Sequence, residues 1–469
     1  METYESLLAN ITAASGETRD VPDPATGEVI GTVPVHGIDD LNRAVARAKA
    51  AQPAWGALDD GERVATLNRA ADAIERSSEA LAELLSREQG KPMNGPNARF
   101  EVGACVDWLR ATAATPIPME VVVDDGETYA ELHYRPVGLV GAISPWNWPM
   151  MIAMWQIAPA LRMGNAVVAK PSEYTTLSGL ALAAVMNQEL PEGVLNTVAG
   201  DGELGAALVA DPAFGKIMFT GSTATGKKIL EGSADNLTRL TLELGGNDAG
   251  IVLPDVDPKA IAEGLFWGAF INTGQTCAAL KRLYVHDDVY DAVSEALTEV
   301  AAGMPMGVGL DEKNVLGPLQ NRAQWNVVDR LVEAAKSSGA RVLLGGDPDA
   351  DAAGNFYPTT LVADIDPDNP LVLEEQFGPA LPIIRYRDID EAVAMANGVD
   401  VGLGASVWSG DRDKAREVAA RLEAGTVWIN SHGGVHPMIP FGGVKQSGYG
   451  LEFGVEGLKS VAVPQVING

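Results

Sequence analysis

From about residue 138 onward, short apolar runs alternate with longer helical patterns, and this alternation constrains the fold more than any other feature. Strand-like runs cover 140–143, 166–169, 195–198, 216–219 and 239–244. Helical patterns cover 150–161, 176–189, 203–209 and 224–233 between them. Such a succession builds a mostly parallel sheet that is covered by helices on both faces. A second alternation runs from 249 to about 430, so we predict two doubly wound α/β domains.

Length and charge narrow the class of protein. A chain of 469 residues exceeds what one hydrophobic core usually serves, which favours two or three domains. The 63 acidic and 34 basic residues give a net charge of −29, which disfavours nucleic acid and anionic membranes as partners. The first residues lack a signal-peptide pattern, and no apolar run approaches the roughly 18 residues of a membrane span. With only two cysteines, we expect a cytoplasmic protein.

The segment before the alternation contains helical patterns and one break in them. The helical patterns cover 39–51, 60–89 and 95–112. Two β-rich runs, 119–123 and 128–134, then flank Asp124-Asp125-Gly126, which is a hairpin signal. An isolated hairpin is marginal in water. We therefore expect this one to be stabilised by a partner subunit and by the strand-like tail 458–467.

Cys277 is the strongest candidate for chemistry. It ends the run Asn-Thr-Gly-Gln-Thr-Cys, between a helical pattern over 257–270 and a strand over 282–286. A cysteine on a turn between two elements is a candidate nucleophile. The alternative is a small buried side chain that only packs. Cys105 lies within a helical run, and for it we favour packing in the core.

Two motifs that follow strands offer groups for binding. Asn147, in Ser-Pro-Trp-Asn-Trp-Pro, can present an amide donor to a developing oxyanion, although the segment could also be only a rigid turn. Lys170-Pro-Ser-Glu173 follows the strand 166–169, where doubly wound sheets bind nucleotides. There the lysine and the carboxylate can bind ribose hydroxyls, and the carboxylate would repel an NADP phosphate. An ordinary surface charge pair is the alternative.

The run Phe-Thr-Gly-Ser-Thr-Ala-Thr-Gly, residues 219–226, combines a strand, a turn and a helix start. Amides at the helix N-terminus, together with Ser222, suit a pyrophosphate. The run is not a GxGxxG fingerprint. It also lacks the hydroxyl that follows the lysine of a Walker loop, which argues against an ATPase.

Glu243 lies in an apolar strand that ends at Gly245-Gly246. A buried glutamate has a raised pKa and can act as a general base near neutral pH. Glu375 and Phe377 lie in a second acidic segment before a strand. The histidines at 133, 286, 432 and 436 have no ligand spacing, so no metal site is predicted.

Together these motifs closely resemble the NAD(P)-dependent aldehyde dehydrogenase superfamily. Across the whole chain they keep the family's order, which is Pro-Trp-Asn, Lys-Pro-Ser-Glu, Phe-Thr-Gly-Ser, Glu-Leu-Gly-Gly, Gly-Gln-Thr-Cys, Glu-Gln-Phe-Gly-Pro and Pro-Phe-Gly-Gly. The resemblance implies an NAD-binding domain (1–115 and 136–246), a catalytic domain (247–446) and a β oligomerisation arm (116–135 and 447–469). Because Glu243 is present, the chain resembles the non-acylating branch of the family, which hydrolyses its thioester with water.

The resemblance also implies roles for individual residues. Cys277 would be the nucleophile, Asn147 an oxyanion donor and Glu243 the base that activates water, with Lys170 also assigned to the catalytic set. Cofactor contacts would come from Trp146, Lys170, Ser172, Glu173, Gly221, Ser222, Glu375 and Phe377. The substrate tunnel would be lined by Trp148, Met151, Ile152, Trp155, Thr276, Val435 and Phe441.

The predicted reaction is oxidation of an apolar or aromatic aldehyde to its carboxylic acid. Glu173 favours NAD as the cofactor, with NADP as the alternative. A thiol esterase that uses the same Cys277 and Glu243, or a semialdehyde dehydrogenase, is the alternative activity. The expected partners are a small-molecule aldehyde and further copies of the chain, as a homodimer or homotetramer.

Overall fold

A computed structural model describes residues 3–11 and 16–469 of the chain. The remaining residues of the predicted 1–115 segment, including the first two, lie outside the described part. The chain starts with one helix, an antiparallel strand pair and four more helices. Their bounds are α1 Tyr4–Ile11, β1 Thr18–Pro22, β2 Val29–Pro34, α2 Ile38–Gly56, α3 Asp60–Arg76, α4 Ser78–Gln89 and α5 Ala98–Ala114.

The single helix predicted over 60–89 is wrong, because two helices occupy this range. Ser77 has a ψ of 8°, so the helical path bends there. Its N–H still donates to the carbonyls of Ala73 and Ile74 at the end of α3, and its own carbonyl accepts the N–H of Leu81 in α4. The apolar face continues through the bend, which is why the periodicity alone did not reveal it.

The predicted hairpin is confirmed as β3 Met119–Asp124 and β4 Tyr129–Pro136. Its turn is built by Asp125, whose Oδ1 accepts the N–H groups of Glu127 and Thr128. Gly126 has a φ of +86°, a conformation in which a side chain would be strained. The hairpin turn therefore follows from its Asp-Gly sequence.

A six-stranded sheet follows, as the first alternation predicts. Its elements are β5 Leu139–Ile143, α6 Pro149–Arg162, β6 Ala166–Lys170, α7 Thr176–Met186, β7 Leu195–Thr197, α8 Gly202–Ala210, β8 Lys216–Thr220, α9 Thr223–Ser233 and β9 Arg239–Glu243. These five strands are parallel, in the order β9-β8-β5-β6-β7. The chain reverses its direction of travel across the sheet between β5 and β8. Ligands bind at such a switch point, outside the carboxyl ends of the strands.

The second alternation forms a seven-stranded sheet. Its segment contains β10 Asp248–Val252, α10 Pro258–Phe270, β11 Leu280–His286, α11 Tyr290–Ala302, α12 Arg322–Ser337, β12 Arg341–Leu344, β13 Thr360–Ala363, α13 Pro370–Leu373, β14 Ala380–Tyr386, α14 Ile389–Asn397, β15 Val401–Gly402, β16 Gly404–Trp408, α15 Arg412–Ala419 and β17 Thr426–Ile429. The strand order is β12-β13-β14-β11-β10-β16-β17, and only the edge strand β12 runs antiparallel to its neighbour. The short β15 lies outside this sheet.

The C-terminal segment joins the sheets together. It contains β18 Val444–Lys445, β19 Gly448–Tyr449, α16 Gly454–Ser460 and β20 Ala462–Asn468. Here β18 pairs with β15, β19 extends the first sheet beside β9, and β20 pairs with β4 of the hairpin. The predicted pairing of the tail with the hairpin is confirmed, but residues 458–460 are helical. The domain boundaries themselves stay a prediction.

Helix α6 is the central element for the site. All fourteen of its residues are buried, as expected for a helix that is apolar on every face. It packs against α5 on one side and against the first sheet on the other. The segment that precedes it, 144–148, is thereby held in the interior of the protein. Within residues 3–11 and 16–469, no helix is long and apolar enough to cross a membrane.

Candidate active site

Cys277 lies just after an irregular turn that separates α10 from β11. In this turn Asn272, Thr273 and Gly274 have φ values of 50°, 56° and 75°. A left-handed conformation costs roughly 1–2 kcal/mol for each residue with a side chain, so the turn needs external support. The amide of Asn272 supplies it by donating to the carbonyl of Asn147 at 2.8 Å. At Gly274 a Cβ would overlap the carbonyl of Gly378, which explains the glycine.

Asn147 is fixed from both sides. Its side-chain amide donates to the carbonyl of Gln275 at 3.0 Å, two residues before the cysteine. Its own carbonyl accepts from Asn272 and from Lys91 Nζ, the latter at 2.9 Å. A carboxamide has two N–H donors, so one remains for another acceptor. The predicted oxyanion donor is therefore held next to the Cys277 loop.

A buried ion pair supports this arrangement from behind. Lys91 Nζ contacts Glu101 Oε2 at 2.6 Å, and both side chains are 0% exposed. Glu101 also accepts the N–H groups of Met150 and Met151 at the start of α6, at 2.8 and 3.1 Å. A carboxylate is favourable at a helix N-terminus, and here it also has a cation. Sequence reasoning missed this pair because nothing in the two local segments joins them.

The cysteine opens on a cavity of about 890 Å³. All seven predicted substrate residues line it, which are Trp148, Met151, Ile152, Trp155, Thr276, Val435 and Phe441. The hydroxyl of Thr276 accepts the indole N–H of Trp148 at 2.9 Å, so the residue before the nucleophile also holds a wall of the cavity. Two further groups of lining residues were not predicted from the sequence. One is on α5, with Phe100, Ala104 and Trp108, and the other is Trp267 of α10 with Ile271, which directly follows this helix. Their helical spacing was the available signal.

The environment of Cys277 favours the neutral thiol. Burial raises its pKa, and the charges of Glu243, Glu375 and Asp248 raise it further, to about 12. Lys281 acts in the opposite direction. Its Nζ is held by the carbonyls of Thr276 and Gly274 at 2.7 and 3.2 Å. Forming the thiolate therefore needs a proton acceptor close by.

Glu243 ends β9 and is 4% exposed. Among the described residues, its Oε1 has no hydrogen-bond partner. Burial raises the pKa of this carboxyl well above its usual value, and the charge of Glu452 raises it further. Its backbone carbonyl accepts the N–H of Gly221, so the predicted base and the predicted pyrophosphate turn lie side by side.

Glu452 and Lys216 were missed by sequence reasoning. Both carboxylate oxygens of Glu452 are buried and, in the part of the chain that the structure describes, have no hydrogen-bond partner. Burial raises its pKa to about 8, against the opposing charge of Lys216. Burial lowers the pKa of Lys216 to about 7. The apolar neighbours of Glu452 in Gly-Leu-Glu-Phe-Gly were the signal that could have identified it.

A second cavity, of about 700 Å³, lies at the carboxyl ends of β5, β6 and β8. Six of the eight predicted cofactor residues line it, which are Trp146, Lys170, Ser172, Glu173, Gly221 and Ser222. Ser222 caps α9, since its Oγ accepts the N–H of Thr225. Burial lowers the pKa of Lys170, against the charges of Glu173 and Asp201. We refer to this cavity as the cofactor groove.

The other two predicted cofactor residues, Glu375 and Phe377, line neither cavity. Phe377 packs edge to face on Trp146, with ring centroids 5.3 Å apart, and Glu375 Oε1 accepts the N–H of Gly246 at 3.3 Å. Neither lines the cofactor groove. Burial raises the pKa of Glu375 to about 7. Lys170 lines the groove and not the Cys277 cavity, so its geometry fits the cofactor role and not the catalytic one.

The segment 146–148 links the two cavities. Trp146 lines the groove, Trp148 lines the Cys277 cavity, and Asn147 lies between them. No group of three or more potential metal ligands occurs among residues 3–11 and 16–469. The arrangement thus provides a thiol and an amide donor near the junction of the cofactor groove and the apolar cavity, with the unpaired Glu243 carboxyl close enough to raise the pKa of the thiol.

Comparisons with known proteins identify the family of the chain. The model of the aldehyde dehydrogenase family matches residues 11–467. The chain is 39% identical to phenylacetaldehyde dehydrogenase of Pseudomonas fluorescens over 96% of this chain and 92% of that protein. It is also 39% identical to geranial dehydrogenase of Castellaniella defragrans, over 96% and 94%. The structure of PnpE from Pseudomonas sp. WBC-3 in complex with nicotinamide adenine dinucleotide matches with a TM-score of 0.93 and 37% identity, over 98% and 95% of the two chains. The chain belongs to the aldehyde dehydrogenase family and is an NAD(P)-dependent aldehyde oxidoreductase.

Proposed function

We propose that this enzyme oxidises an apolar or aromatic aldehyde to its carboxylic acid, with NAD as the hydride acceptor and Cys277 as the nucleophile. The observation that carries the proposal is the position of Cys277. Its thiol faces an apolar cavity, next to the Asn147 amide and within the electrostatic reach of Glu243. The proposal includes the roles of Cys277, Asn147 and Glu243 in the reaction.

The first half of the reaction uses Cys277 and Asn147. The Cys277 thiol gives its proton to water in the open cavity, and the sulfur adds to the carbonyl carbon to form the oxyanion of a thiohemiacetal. The resulting oxyanion accepts hydrogen bonds from the Asn147 amide and the Cys277 backbone N–H, which stabilises the developing charge. Collapse of the oxyanion releases a hydride, for which bound NAD supplies the acceptor, and leaves a thioester on Cys277.

The second half uses Glu243. Its carboxylate takes a proton from water while the water oxygen adds to the thioester carbon. The C–S bond then breaks, the thiolate leaves and the carboxylic acid is released. A carboxyl whose pKa is raised by burial is a better proton acceptor near neutral pH than an exposed one. The same two residues would hydrolyse an ester that enters the cavity, which makes thiol esterase a second activity.

The residues of the cofactor groove fit a dinucleotide. A helix N-terminus at Ser222 suits the pyrophosphate. Lys170 and Glu173 offer a donor and an acceptor to the adenosine ribose. The carboxylates of Glu173, Asp201 and Glu203 line the same groove and would repel an additional 2′-phosphate. This favours NAD over NADP, and comparable kcat/KM values for the two cofactors would contradict it.

The cavity lining supports an uncharged, apolar substrate. Among the residues that line it, four are tryptophans, and Asp107 is the acidic one. No lysine or arginine lines it to pair with a second carboxylate, which disfavours a semialdehyde. Two relatives, named for phenylacetaldehyde and geranial, act on aldehydes of this apolar kind.

The three-stranded sheet of β3, β4 and β20 supports a homo-oligomer. Met119, Val121 and Val122 of β3 are more than half exposed, as is Val466 of β20. Exposed apolar strands of this kind need a cover to avoid non-specific association. A homodimer or homotetramer formed through this sheet would provide it.

The decisive test is a panel of aliphatic and aromatic aldehydes with NAD, followed by NADH absorbance. Apolar aldehydes should give NADH, and silence across the panel would overturn the proposal. Cys277→Ser should abolish turnover while NAD binding, measured by calorimetry, stays intact. Cys105→Ala is the matched control, because Cys105 is buried in the core and should not affect the chemistry.

A further inference from the structure

Five glycines line the cavity above Cys277, on α5, on α10 and in the loop that follows β17. They are Gly103, Gly264, Gly268, Gly433 and Gly434. A glycine inside a helix is less favourable than alanine, because it loses more backbone freedom on folding. Each of these glycines therefore needs a structural or a functional reason.

Three of the five have a structural reason. On α10, a Cβ at Gly264 would lie 2.9 Å from the ring of Trp408, and one at Gly268 would lie 2.9 Å from Cβ of His432. These two glycines let neighbouring elements pack on the helix. Gly433 has a φ of +75°, which a side chain would strain. The fold itself accounts for all three.

Gly103 and Gly434 have no such reason. Neither residue has a φ in the left-handed region, and a Cβ built on either meets no heavy atom within 4 Å. Gly103 lies in the interior of α5, where alanine would be the better helix former. Both residues line the Cys277 cavity and have open space beside them.

The two positions belong to the outer part of the cavity. Both glycines are exposed, as are Phe100 and Asp107, which share the cavity-facing side of α5 with Gly103. Trp148, which follows Asn147, and Ala278, which follows Cys277, are buried. A substrate whose carbonyl carbon reaches Cys277 would therefore meet Gly103 and Gly434 with its far end.

We infer that Gly103 and Gly434 determine specificity by keeping the outer cavity wide, for an aldehyde that carries a bulky apolar group away from its carbonyl. The inference rests on the proposed aldehyde oxidation and adds the shape of the substrate. The aromatic walls supply apolar contacts for such a group, while Asp107 disfavours an anionic one. Short aldehydes do not reach these positions, so their turnover does not depend on them.

The test compares two aldehydes in Gly103→Leu and Gly434→Leu. The probes are 3-phenylpropanal, which is bulky at its far end, and acetaldehyde. The ratio of kcat/KM for 3-phenylpropanal to that for acetaldehyde should fall at least ten-fold in each variant. Gly103→Ala should give a smaller fall and a Tm no lower than that of the parent enzyme. A ratio that stays within two-fold of the parent in both leucine variants would overturn the inference.

Two controls separate this inference from the proposed function. Gly61→Leu adds the same side chain to a helical glycine with open surroundings that does not line the cavity, and it should leave the ratio unchanged. If the parent enzyme oxidises no aldehyde of the panel, the proposed function fails. Binding of the unreactive alcohol 3-phenylpropanol, measured by calorimetry, then still tests the cavity. It should weaken at least ten-fold in both leucine variants, and equal affinity would overturn the inference.

Discussion

Two buried carboxylates, Glu101 and Glu243, differ in how their charge is accommodated. Glu101 is paired with Lys91 and accepts two backbone N–H groups of α6. Among the described residues, one oxygen of Glu243 has no hydrogen-bond partner, and neither has either oxygen of Glu452, whose charge raises the pKa of Glu243. Both side chains are buried, so burial alone does not distinguish them.

This difference distinguishes a carboxylate that holds other elements in place from one that can transfer a proton. A carboxylate whose acceptor sites are filled holds elements in place, since moving its proton would break several contacts. A buried carboxyl without partners has a raised pKa and can exchange its proton at little structural cost. We therefore assign Glu101 to positioning of the Asn147 loop and Glu243 to proton transfer.

After loss of the Cys277 thiol itself, the largest effect on activity is expected from Glu243→Gln. This nearly isosteric change removes the base, and kcat for acid formation should fall by about 10²–10⁴, the usual contribution of general acid–base catalysis. The Tm at pH 8 should not fall, because no ion pair is broken. Steady-state assays and calorimetry measure both. A variant with full activity would remove Glu243 from the mechanism.

The largest effect on stability is expected from Lys91→Met. It leaves the Glu101 carboxylate buried without its cation, which should cost about 3–5 kcal/mol of unfolding free energy. Denaturant unfolding provides the measurement. The control is Arg110→Met, which breaks exposed ion pairs with Asp72 and Glu75 and should cost about 1 kcal/mol or less. Equal losses in the two variants would contradict the role given to the buried pair.

A smaller, pH-dependent effect is expected from Glu452→Gln. The pKa of this carboxyl rises from 4.5 to about 8 on folding. Below pH 4.5 it is protonated in both states and costs nothing, whereas above pH 8 the folded state carries a buried charge. The Tm of the variant should therefore match that of the parent near pH 4.5 and exceed it increasingly up to pH 8. A constant difference across this range would show that the carboxyl does not titrate as described.

The positions of the candidate reaction groups could be predicted from the sequence because each motif is local. Cys277, Asn147 and the Lys170–Glu173 segment lie where their strands and turns expose them, and the substrate residues of α6 share one cavity. Contacts between distant segments were not predictable in this way. The Lys91–Glu101 pair and the approach of Glu452 to Glu243 depend on the folded arrangement, and the bend at Ser77 leaves the apolar periodicity unchanged. The apolar positions of α5 and α10 look like ordinary amphipathic patterns in the sequence, and only the folded structure shows that they line the same cavity.

A single turnover of Glu243→Gln with NAD and 3-phenylpropanal tests whether Cys277 carries the acyl group that Glu243 helps to hydrolyse. Mass spectrometry of the quenched protein gives the adduct and its position, while absorbance gives NADH. We expect about one NADH per active site, followed by a stall with the acyl group attached to Cys277. Continued NADH formation at the parent rate, or a protein without an acyl group on Cys277, would contradict it.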